Sequence, residues 1–329
     1  MRSRNNNRQN ELTQRDEVSE KLLGGTLPFK TSSAMHPYQV IDLFNVCFEH
    51  ILKSPNLQEH IQQVKGDLYR RDYLAAFDND DKRFAYASRW TPSRALAYSS
   101  LFSSLEPVNK LLGDEHAKIN VLCVGGGAGS ELVGLGSVFS RLKEFHPNSD
   151  SCMNVEIVDI ADWGKVTTNV ASYMKSNWVH RNECLNSKFL CADILATNLE
   201  LIGIANMDLV TLMFTTNELF SEKRKDTVKF LLALNQNCKP GSLLLIAESA
   251  GSFLNIKIGE RQFPVQFLID TILVGKPGDS GDNTGAWDII SQSESIWYRI
   301  VEREVTYELN LENMRFFYRL YRKKKKELE

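Results

Sequence analysis

The feature that most constrains this chain is a glycine-rich turn after an apolar run, INVLCVGGGAGSE, from Ile119 to Glu131. The apolar run predicts a buried strand, and the residues after the glycines predict the start of a helix. Glycine is needed where a Cβ would block a close approach or where φ is positive. A strand, a glycine loop and a helix N-terminus form a ligand cradle at the carboxyl edge of a parallel sheet. The stretch therefore predicts an α/β fold with a binding site at this turn.

The rest of the chain continues this alternation of strands and helices. Apolar runs predict strands at 119–125, 154–160, 187–191, 208–214 and 242–248, and helical segments at 129–145, 164–177 and 221–237 separate them. Such a βαβ series is typical of a doubly wound, mostly parallel sheet. After residue 250, FPVQFLIDTIL predicts a helix, whereas WYRIVEREVTYEL and NMRFFYRLYR predict two antiparallel strands. The predicted sheet thus has seven strands.

Residues before the glycine turn predict a helical extension over 36–112. Apolar residues recur at three- and four-residue steps in two segments, 41–52 and 57–68. Thr91 followed by Pro92 predicts an N-cap and a first helical position, opening a helix through about Leu105. The polar residues 1–35 are predicted to be disordered, 113–321 to form the α/β domain and 322–329 to form a basic tail.

Composition places the chain among soluble globular proteins. Of the 329 residues, 43% are hydrophobic and 24% are charged, and no apolar run is long enough to span a bilayer. The six cysteines show neither a C-x-x-C pair nor zinc spacing with histidines. They are therefore interpreted as reduced thiols in a cytosolic or nuclear compartment, and no metal site or membrane partner is expected.

Charge is distributed unevenly along the chain. The net charge is −2, but residues 1–15 carry +3 and residues 315–326 carry +7, which leaves −12 for the remainder. Basic ends on an acidic body favour contact with a polyanion such as nucleic acid. The alternative is a solvated tail that serves solubility or nuclear import. These two interpretations stay open.

The spacing of the glycines narrows the choice of ligand. No Lys-Ser/Thr pair follows them, which argues against a Walker loop, and Ser130 stands where a dinucleotide fold prefers its last glycine. Gly125, Gly127 and Gly129 fit G-x-G-x-G instead, which resembles the pattern of class I S-adenosyl-L-methionine (SAM)-dependent methyltransferases. The alternative is a glycine-rich strand end without a ligand.

Acidic residues at two further strand ends support the same cofactor. Asp159 ends VEIVD, where a carboxylate can accept hydrogen bonds from ribose hydroxyls. Asp193 follows the next strand, where this methyltransferase class commonly has an acid near adenine. Each carboxylate alone is more often a solvated cap. Cys123 stands where the class often has an acid, so Glu131 is the candidate for holding the methionine end.

Longer blocks carry a narrower resemblance. VLCVGGGAGSE, RWTPSRALAY and FTTNELF, followed by a helix like QFLIDTIL, resemble the fungal family of large-subunit ribosomal RNA methyltransferases that modify N3 of uridine. The similarity runs from about His36 to about Tyr321. It implies a class I methyltransferase fold, SAM as cofactor, and ribosomal RNA or a pre-ribosomal particle as partner.

The stretch FTTNELF is consistent with that target. It lacks the proline-containing motif usual for exocyclic amines, and it has no cysteine nucleophile for carbon-5 methylation. A ring nitrogen such as uridine N3 requires only that its imide proton be removed, and Glu218 is the candidate base. Asn217 is expected to hold a base carbonyl and Phe214 to stack on a ring. Glu218 can equally be a helix-start carboxylate.

The block SRWTPSR supplies candidate substrate-binding residues. Arg89 and Arg94 are expected to hold RNA phosphates. Trp90, which lies between them, is interpreted as a buried anchor rather than a base cover. The alternative interpretation is that the two arginines are solvent-exposed and bind no ligand.

The sequence thus predicts a SAM-dependent methyltransferase that forms 3-methyluridine in large-subunit ribosomal RNA, in the nucleus or nucleolus and the cytoplasm. Two rivals stay open. One is a methyltransferase for a small molecule or a protein. The other is a ribosome-assembly factor that binds RNA and has lost catalysis, for which Cys123 is the best support.

Overall fold

A central sheet organises the computed structural model, which describes residues 25–144, 146, 148–179, 181–250, 255–258, 261–275 and 285–325. Its eight strands lie in the order β1-β9-β10-β6-β5-β2-β3-β4, and β7 and β8 form a separate hairpin. In chain order the strands are β1 Thr26–Leu27, β2 Lys118–Val124, β3 Cys152–Asp159, β4 Leu185–Cys191, β5 Leu209–Met213, β6 Leu243–Ser249, β7 Asn255–Ile258, β8 Arg261–Pro264, β9 Trp287–Tyr298 and β10 Met314–Lys323.

Strands β2 to β6 are the five predicted parallel strands, displaced by at most two residues. They pair in parallel, and the strand order reverses between β2 and β5. Strand β10 runs antiparallel to both β6 and β9. The doubly wound, mostly parallel sheet is confirmed, and the eighth strand is the two-residue β1, parallel to β9.

The position predicted for the first antiparallel strand is wrong. Strand β9 is formed by WDIISQSESIWY and ends at Tyr298, so the predicted segment contributes only its first two residues. Most of that segment is a loop with one 3₁₀ turn, Glu302–Glu304. The alternation in VEREVTYEL predicted a strand. Its apolar residues Val305, Tyr307 and Leu309 instead pack on the helical layer rather than within the sheet.

Helices cover both faces of the sheet. The extension packs with α7 and α8 on one face, and α10 and α11 cover the other. In chain order the helices are α1 Pro37–Cys47, α2 Glu49–Leu52, α3 Leu57–Tyr69, α4 Tyr73–Ala76, α5 Asp80–Ser104, α6 Glu106–Gly113, α7 Ser130–Lys143, α8 Gly164–Asn177, α9 Leu199–Ile202, α10 Thr216–Asn237 and α11 Val265–Leu273.

The predicted helix start at Thr91 is wrong. Helix α5 begins after Asn79, whose side chain accepts a hydrogen bond from the Lys82 amide, and it continues through Pro92. Thr91 is buried, and its hydroxyl has no hydrogen-bond partner in the described part of the chain. The local Thr-Pro signal is overridden because this half of α5 is buried against α7.

Part of the predicted disordered N-terminus is ordered. Leu27 is buried, the Met35 amide donates to the Ser137 carbonyl in α7, and Phe29 stacks on Tyr298. Residues 25–35 therefore belong to the fold, whereas residues 1–24 lie outside the described residues. At the other end, β10 includes the first two residues of the predicted tail, and 326–329 lie outside the description.

Candidate functional site

A cavity of about 500 Å³ opens at the carboxyl edge of the parallel strands, where the order reverses between β2 and β5. In doubly wound sheets this switch point is where ligands bind. Loops after β2 to β5 form one wall, and α3 to α5 together with α10 form the other. Among the predicted site residues, those that line it are Arg94, Gly125, Asp159, Asp193, Phe214 and Glu218.

The glycine loop has a backbone that other residues would strain. Gly125, Gly127 and Gly129 have φ of 66°, 40° and 85°, in the left-handed region that favours glycine. A Cβ at Gly125 would also lie 2.5 Å from the Thr215 hydroxyl oxygen. Gly129 then opens α7 as its N-cap. The loop is therefore held close to β5 with backbone facing the cavity.

Asp159 ties the glycine loop to the end of β3. Its carboxylate accepts hydrogen bonds from the amides of Gly127 and Ala161, both at 3.0 Å. Burial nevertheless raises the pKa of Asp159 to about 6. Beside it lies the buried indole N–H of Trp163, which acts against burial by lowering the pKa of the Asp159 carboxyl. A polar ligand with hydroxyl groups fits this corner of the cavity.

Asp193 lines the cavity as predicted, but both carboxylate oxygens already have partners. One accepts from the Leu195 amide at 2.9 Å, and the other is 2.6 Å from the Lys223 ammonium. The Lys223 side chain is half-exposed, and α10 is kinked at that residue. A ligand amino group that binds Asp193 would therefore compete with the long, half-exposed side chain of Lys223 and not with a buried group.

Arg94 is a buried cation in the cavity wall. Its guanidinium donates to the Tyr86 hydroxyl and lies 5.6 Å from the Tyr86 ring centroid and 5.8 Å from that of Phe214. No carboxylate forms an ion pair with it in the described part of the chain. Arg94 was predicted to hold RNA phosphates, and the structure places its guanidinium in the lining of the cavity.

Phe214 lines the cavity with an unusual backbone. Its φ is 62°, which is uncommon outside glycine, and its amide donates to the Ala247 carbonyl of β6 at 2.8 Å. The ring lies between those of Tyr98 and Phe316, with centroids 6.3 and 6.0 Å away. Strained residues of this kind concentrate at functional sites because the surrounding structure holds them in place.

Glu218 brings a carboxyl group into the cavity from the first turn of α10. Burial, followed by the nearby carboxylate of Glu248, raises its pKa to about 7. Glu248 itself caps the helix, accepting from the Thr216 hydroxyl and the Asn217 amide. Because Glu248 already caps the start of α10, Glu218 is not needed for that purpose. Its carboxyl group is available for another role. The Asn217 side chain does not line the cavity, contrary to expectation.

Glu131, predicted to hold the methionine end of the cofactor, is not among the residues that line the cavity. It is 2% exposed, lies behind the glycine loop, and accepts a hydrogen bond of 2.6 Å from the Thr211 hydroxyl. Burial raises its pKa to about 8. Helix α7 turns this side chain toward β5, beneath Gly126, so it supports the loop from the side opposite the cavity.

Arg89 lies outside the cavity. Its guanidinium pairs with Glu312 and donates to the Asn310 carbonyl, so it fastens α5 to the loop before β10. The predicted phosphate contact would require Arg89 to leave these two partners within the fold. Trp90 packs on Tyr86 with ring centroids 5.0 Å apart, but it is partly exposed and not the buried anchor that was predicted.

Sequence reasoning missed the residues that the helical extension brings to the cavity. The segment between α3 and α4 forms part of its wall, and Arg71, with φ of 59°, donates to the Ser221 hydroxyl of α10. Nothing local signals this long-range contact. The missed lining residues with polar or aromatic side chains include Arg71, Tyr73, Tyr86, Trp163, Thr215, Glu222 and Lys223.

Two features are absent from the described residues. No group of three or more His, Cys, Asp or Glu side chains there is arranged to hold a metal ion. Within the same ranges, no helix is long and apolar enough to cross a membrane.

A glycine loop after β2, at the switch point of a doubly wound sheet, is the arrangement of class I SAM-dependent methyltransferases. Residues 44–322 match the family described as "Putative SAM-dependent methyltransferase", and the chain belongs to this family. It is 46% identical over 323 residues to the 25S rRNA (uridine(2843)-N(3))-methyltransferase of Saccharomyces cerevisiae. That alignment covers 90% of this chain and 88% of the yeast protein. The predicted class, cofactor and family resemblance are confirmed.

Solved structures resemble the chain only loosely. The N-methyltransferase NodS of Bradyrhizobium japonicum with S-adenosyl-L-homocysteine is 13% identical, with 81% of this chain and 99% of that chain covered and a TM-score of 0.35. An rRNA methylase of Streptococcus thermophilus is 10% identical, with 66% and 94% covered and a TM-score of 0.34. Such similarities say nothing of the substrate.

Proposed function

We propose that this protein transfers the methyl group of SAM to N3 of a uridine in large-subunit ribosomal RNA. The relationship to the yeast enzyme supports the substrate and the atom. The structural observation that carries the chemistry is the Glu218 carboxyl, which lines the cavity next to Phe214 and has a pKa of about 7.

The residues around the glycine loop fit SAM. Gly125 lines the cavity where the cofactor is expected, and Asp159 is placed for the ribose hydroxyls beside the Trp163 indole. Asp193 lies at the adenine end. We assign the carboxylate of the methionine end to Arg94, because this buried guanidinium lines the cavity and its hydrogen-bond partner is a hydroxyl rather than a carboxylate.

Bound SAM supplies an electrophilic methyl group on sulfonium, so the protein must position the base and remove one proton. Uridine N3 is a weakly acidic imide nitrogen. A carboxylate with a pKa near 7 is ionised in a useful fraction at neutral pH and is basic enough to accept that proton. Phe214 offers a ring face for the uracil, which has to leave its stack to enter an enclosed cavity.

Partner and location follow from this substrate. The protein would act on ribosomal RNA or a pre-ribosomal particle, in the nucleus or nucleolus and the cytoplasm. A folded RNA-binding module is not needed if the surface around the cavity and the rest of the particle provide the contacts.

Nucleoside mass spectrometry of large-subunit ribosomal RNA tests the proposal. Cells lacking the protein would be compared with cells carrying wild type, Asp159→Ala or the control Asp162→Ala. Asp162 is exposed and only caps the Gly164 amide. We expect one 3-methyluridine to be lost without the protein and in Asp159→Ala, and kept in Asp162→Ala.

Other outcomes separate the rivals. Loss of a different modification would keep the methyltransferase and reject the target atom. Unchanged nucleosides with impaired ribosome assembly would favour an RNA-binding factor without catalysis. Purified protein with SAM and the RNA then establishes direct action.

A further inference from the structure

The basic stretch near the C-terminus is divided between two edges of the sheet. Arg315 lies at the cavity edge, where its carbonyl accepts from the Ala250 amide just after β6. Arg319 is buried and pairs with Glu294. Arg322 lies at the opposite edge, paired in register with Leu243 at the start of β6. The stretch is therefore not one continuous RNA-binding tail.

Arg315 belongs instead to a cluster with Trp297 and Arg299, here called the Trp297 platform. The guanidinium carbons of Arg299 and Arg315 lie 4.3 and 5.6 Å from the Trp297 ring centroid. Trp297 and Arg315 are register partners, and Arg299 is two residues further along the chain, so all three side chains share one face. The indole is partly exposed and both arginines are exposed.

The positive charges of Arg299 and Arg315 are available to a binding partner. Arg315 donates to the Ser295 hydroxyl at 2.8 Å, a neutral group. Neither Arg299 nor Arg315 forms an ion pair with a carboxylate within the ranges that the structure describes. In a chain whose body is acidic, two such arginines around one aromatic ring are a local site for an anion that also carries a ring.

The platform lies beside the cavity. Phe316, which follows Arg315 in β10 and points to the other face of the sheet, contacts the Phe214 ring in the cavity wall, so the platform and the cavity share this edge of the sheet. Strand β9 is three strands from β5, which corresponds to roughly 14 Å along the edge. A short single strand of RNA can bridge that distance from a base inserted in the cavity.

We propose that the Trp297 platform binds single-stranded RNA next to the methylated nucleotide. A flanking base stacks on Trp297, and Arg299 and Arg315 hold its phosphates. Aromatic rings flanked by arginines suit single-stranded nucleic acid, because every base has a stacking face and the backbone is anionic. This inference rests on the proposed function, since it takes ribosomal RNA as the substrate.

Fluorescence anisotropy with a target-containing RNA fragment, over a series of salt concentrations, tests the platform. Trp297→Ala should weaken binding about tenfold without changing the salt dependence, because it removes stacking, and Trp297→Phe should restore most of the affinity. Arg315→Ala should weaken binding and reduce the log–log salt slope by about 0.7, the value for one phosphate contact on a single strand. Arg322→Ala, on the same strand at the far edge, is the matched control and should bind as wild type.

Affinity for S-adenosyl-L-homocysteine and thermal unfolding, measured on every variant, establish that the cavity and fold are intact. Wild-type RNA binding by Trp297→Ala and Arg315→Ala would overturn the platform, as would equal weakening by Arg322→Ala. If those variants bind RNA normally but fail to associate with pre-ribosomal particles, the surface contacts protein instead. Failure of the proposed function is seen separately, as wild-type protein that binds the fragment but never methylates its uridine.

Discussion

The Tyr307 hydroxyl donates a hydrogen bond of 2.7 Å to the Ser88 carbonyl inside helix α5. Ser88 is four residues before Pro92, so its carbonyl is the one that proline leaves without a helix partner. The loop after β9 thus completes the helix at the residue where it would otherwise break. This contact explains how α5 passes through Pro92 and remains one helix.

Tyr307→Phe should therefore destabilise the protein. A buried carbonyl without a partner costs about 1–3 kcal/mol in the free energy of unfolding, which chemical denaturation measures. Pro92→Ala provides an amide for Ser88, so the cost of Tyr307→Phe should be clearly smaller in the Pro92→Ala background. Equal costs in both backgrounds would show that the hydroxyl does not serve that carbonyl.

Glu131→Gln should change how stability depends on pH. The pKa of Glu131 is raised by burial from 4.5 to about 8, so the folded wild type holds a proton that the unfolded chain releases at lower pH. This contribution to stability is complete below about pH 4.5 and is lost as pH rises through about 8. One pKa unit corresponds to about 1.4 kcal/mol.

Unfolding free energies of wild type and Glu131→Gln would be measured between pH 5 and 9. The variant should gain stability relative to wild type as pH rises, because the amide does not ionise and can still accept from Thr211. A constant difference across this range would contradict the assignment of the titration to Glu131.

Glu218→Gln should abolish the pH dependence of methyl transfer near neutrality. With a pKa of about 7, Glu218 is ionised above that pH, so the wild-type single-turnover rate should rise through pH 7. The variant should be slower by about 10²–10⁴-fold, as expected for loss of a general base, with unchanged affinity for S-adenosyl-L-homocysteine. Asp226→Asn, two turns further along the same helix and outside the cavity lining, is the control. A pH profile retained in Glu218→Gln would exclude Glu218 as the base.

Arg94→Met should separate the two ends of the cofactor. If Arg94 binds the methionine carboxylate, affinity for S-adenosyl-L-homocysteine should fall about 10- to 100-fold, whereas affinity for 5′-methylthioadenosine, which lacks the amino-acid portion, should stay unchanged. Calorimetry measures both, with Arg89→Met as the control on the same helix. Weaker binding of both ligands would indicate a structural role for Arg94. Unchanged binding of both would indicate that Arg94 contacts the RNA base instead.

The sheet was predictable because its signals are local. Buried parallel strands are continuous apolar runs, and the glycine loop needs particular residues at particular positions, so β2 to β6 and Gly125, Gly127 and Gly129 could be placed from the sequence. The Thr91 signal was local too, but burial of α5 outweighed it. Strand β9 was misplaced because alternation alone does not say which layer the apolar residues join.

The direction of side chains was less predictable. Glu131 and Arg94 are both close to the cofactor region, yet one faces away from the cavity and the other faces into it. The sequence places each on a helix, but only packing decides the rotation of that helix. The partners of Arg89 could not be predicted for a related reason, since Asn310 and Glu312 come from more than 200 residues away.

Strand β1 pairs with β9, so Thr26 and Leu27 meet Trp297 and Tyr298 near the other end of the chain. During translation, Thr26 and Leu27 leave the ribosome long before Trp297 and Tyr298 are synthesised. Until then, the apolar surface of residues 25–35 and α1 lacks part of its covering, and such surface favours aggregation. The strands translated last therefore cover the helical layer that was translated first. A chain truncated before those strands would leave part of that apolar surface exposed.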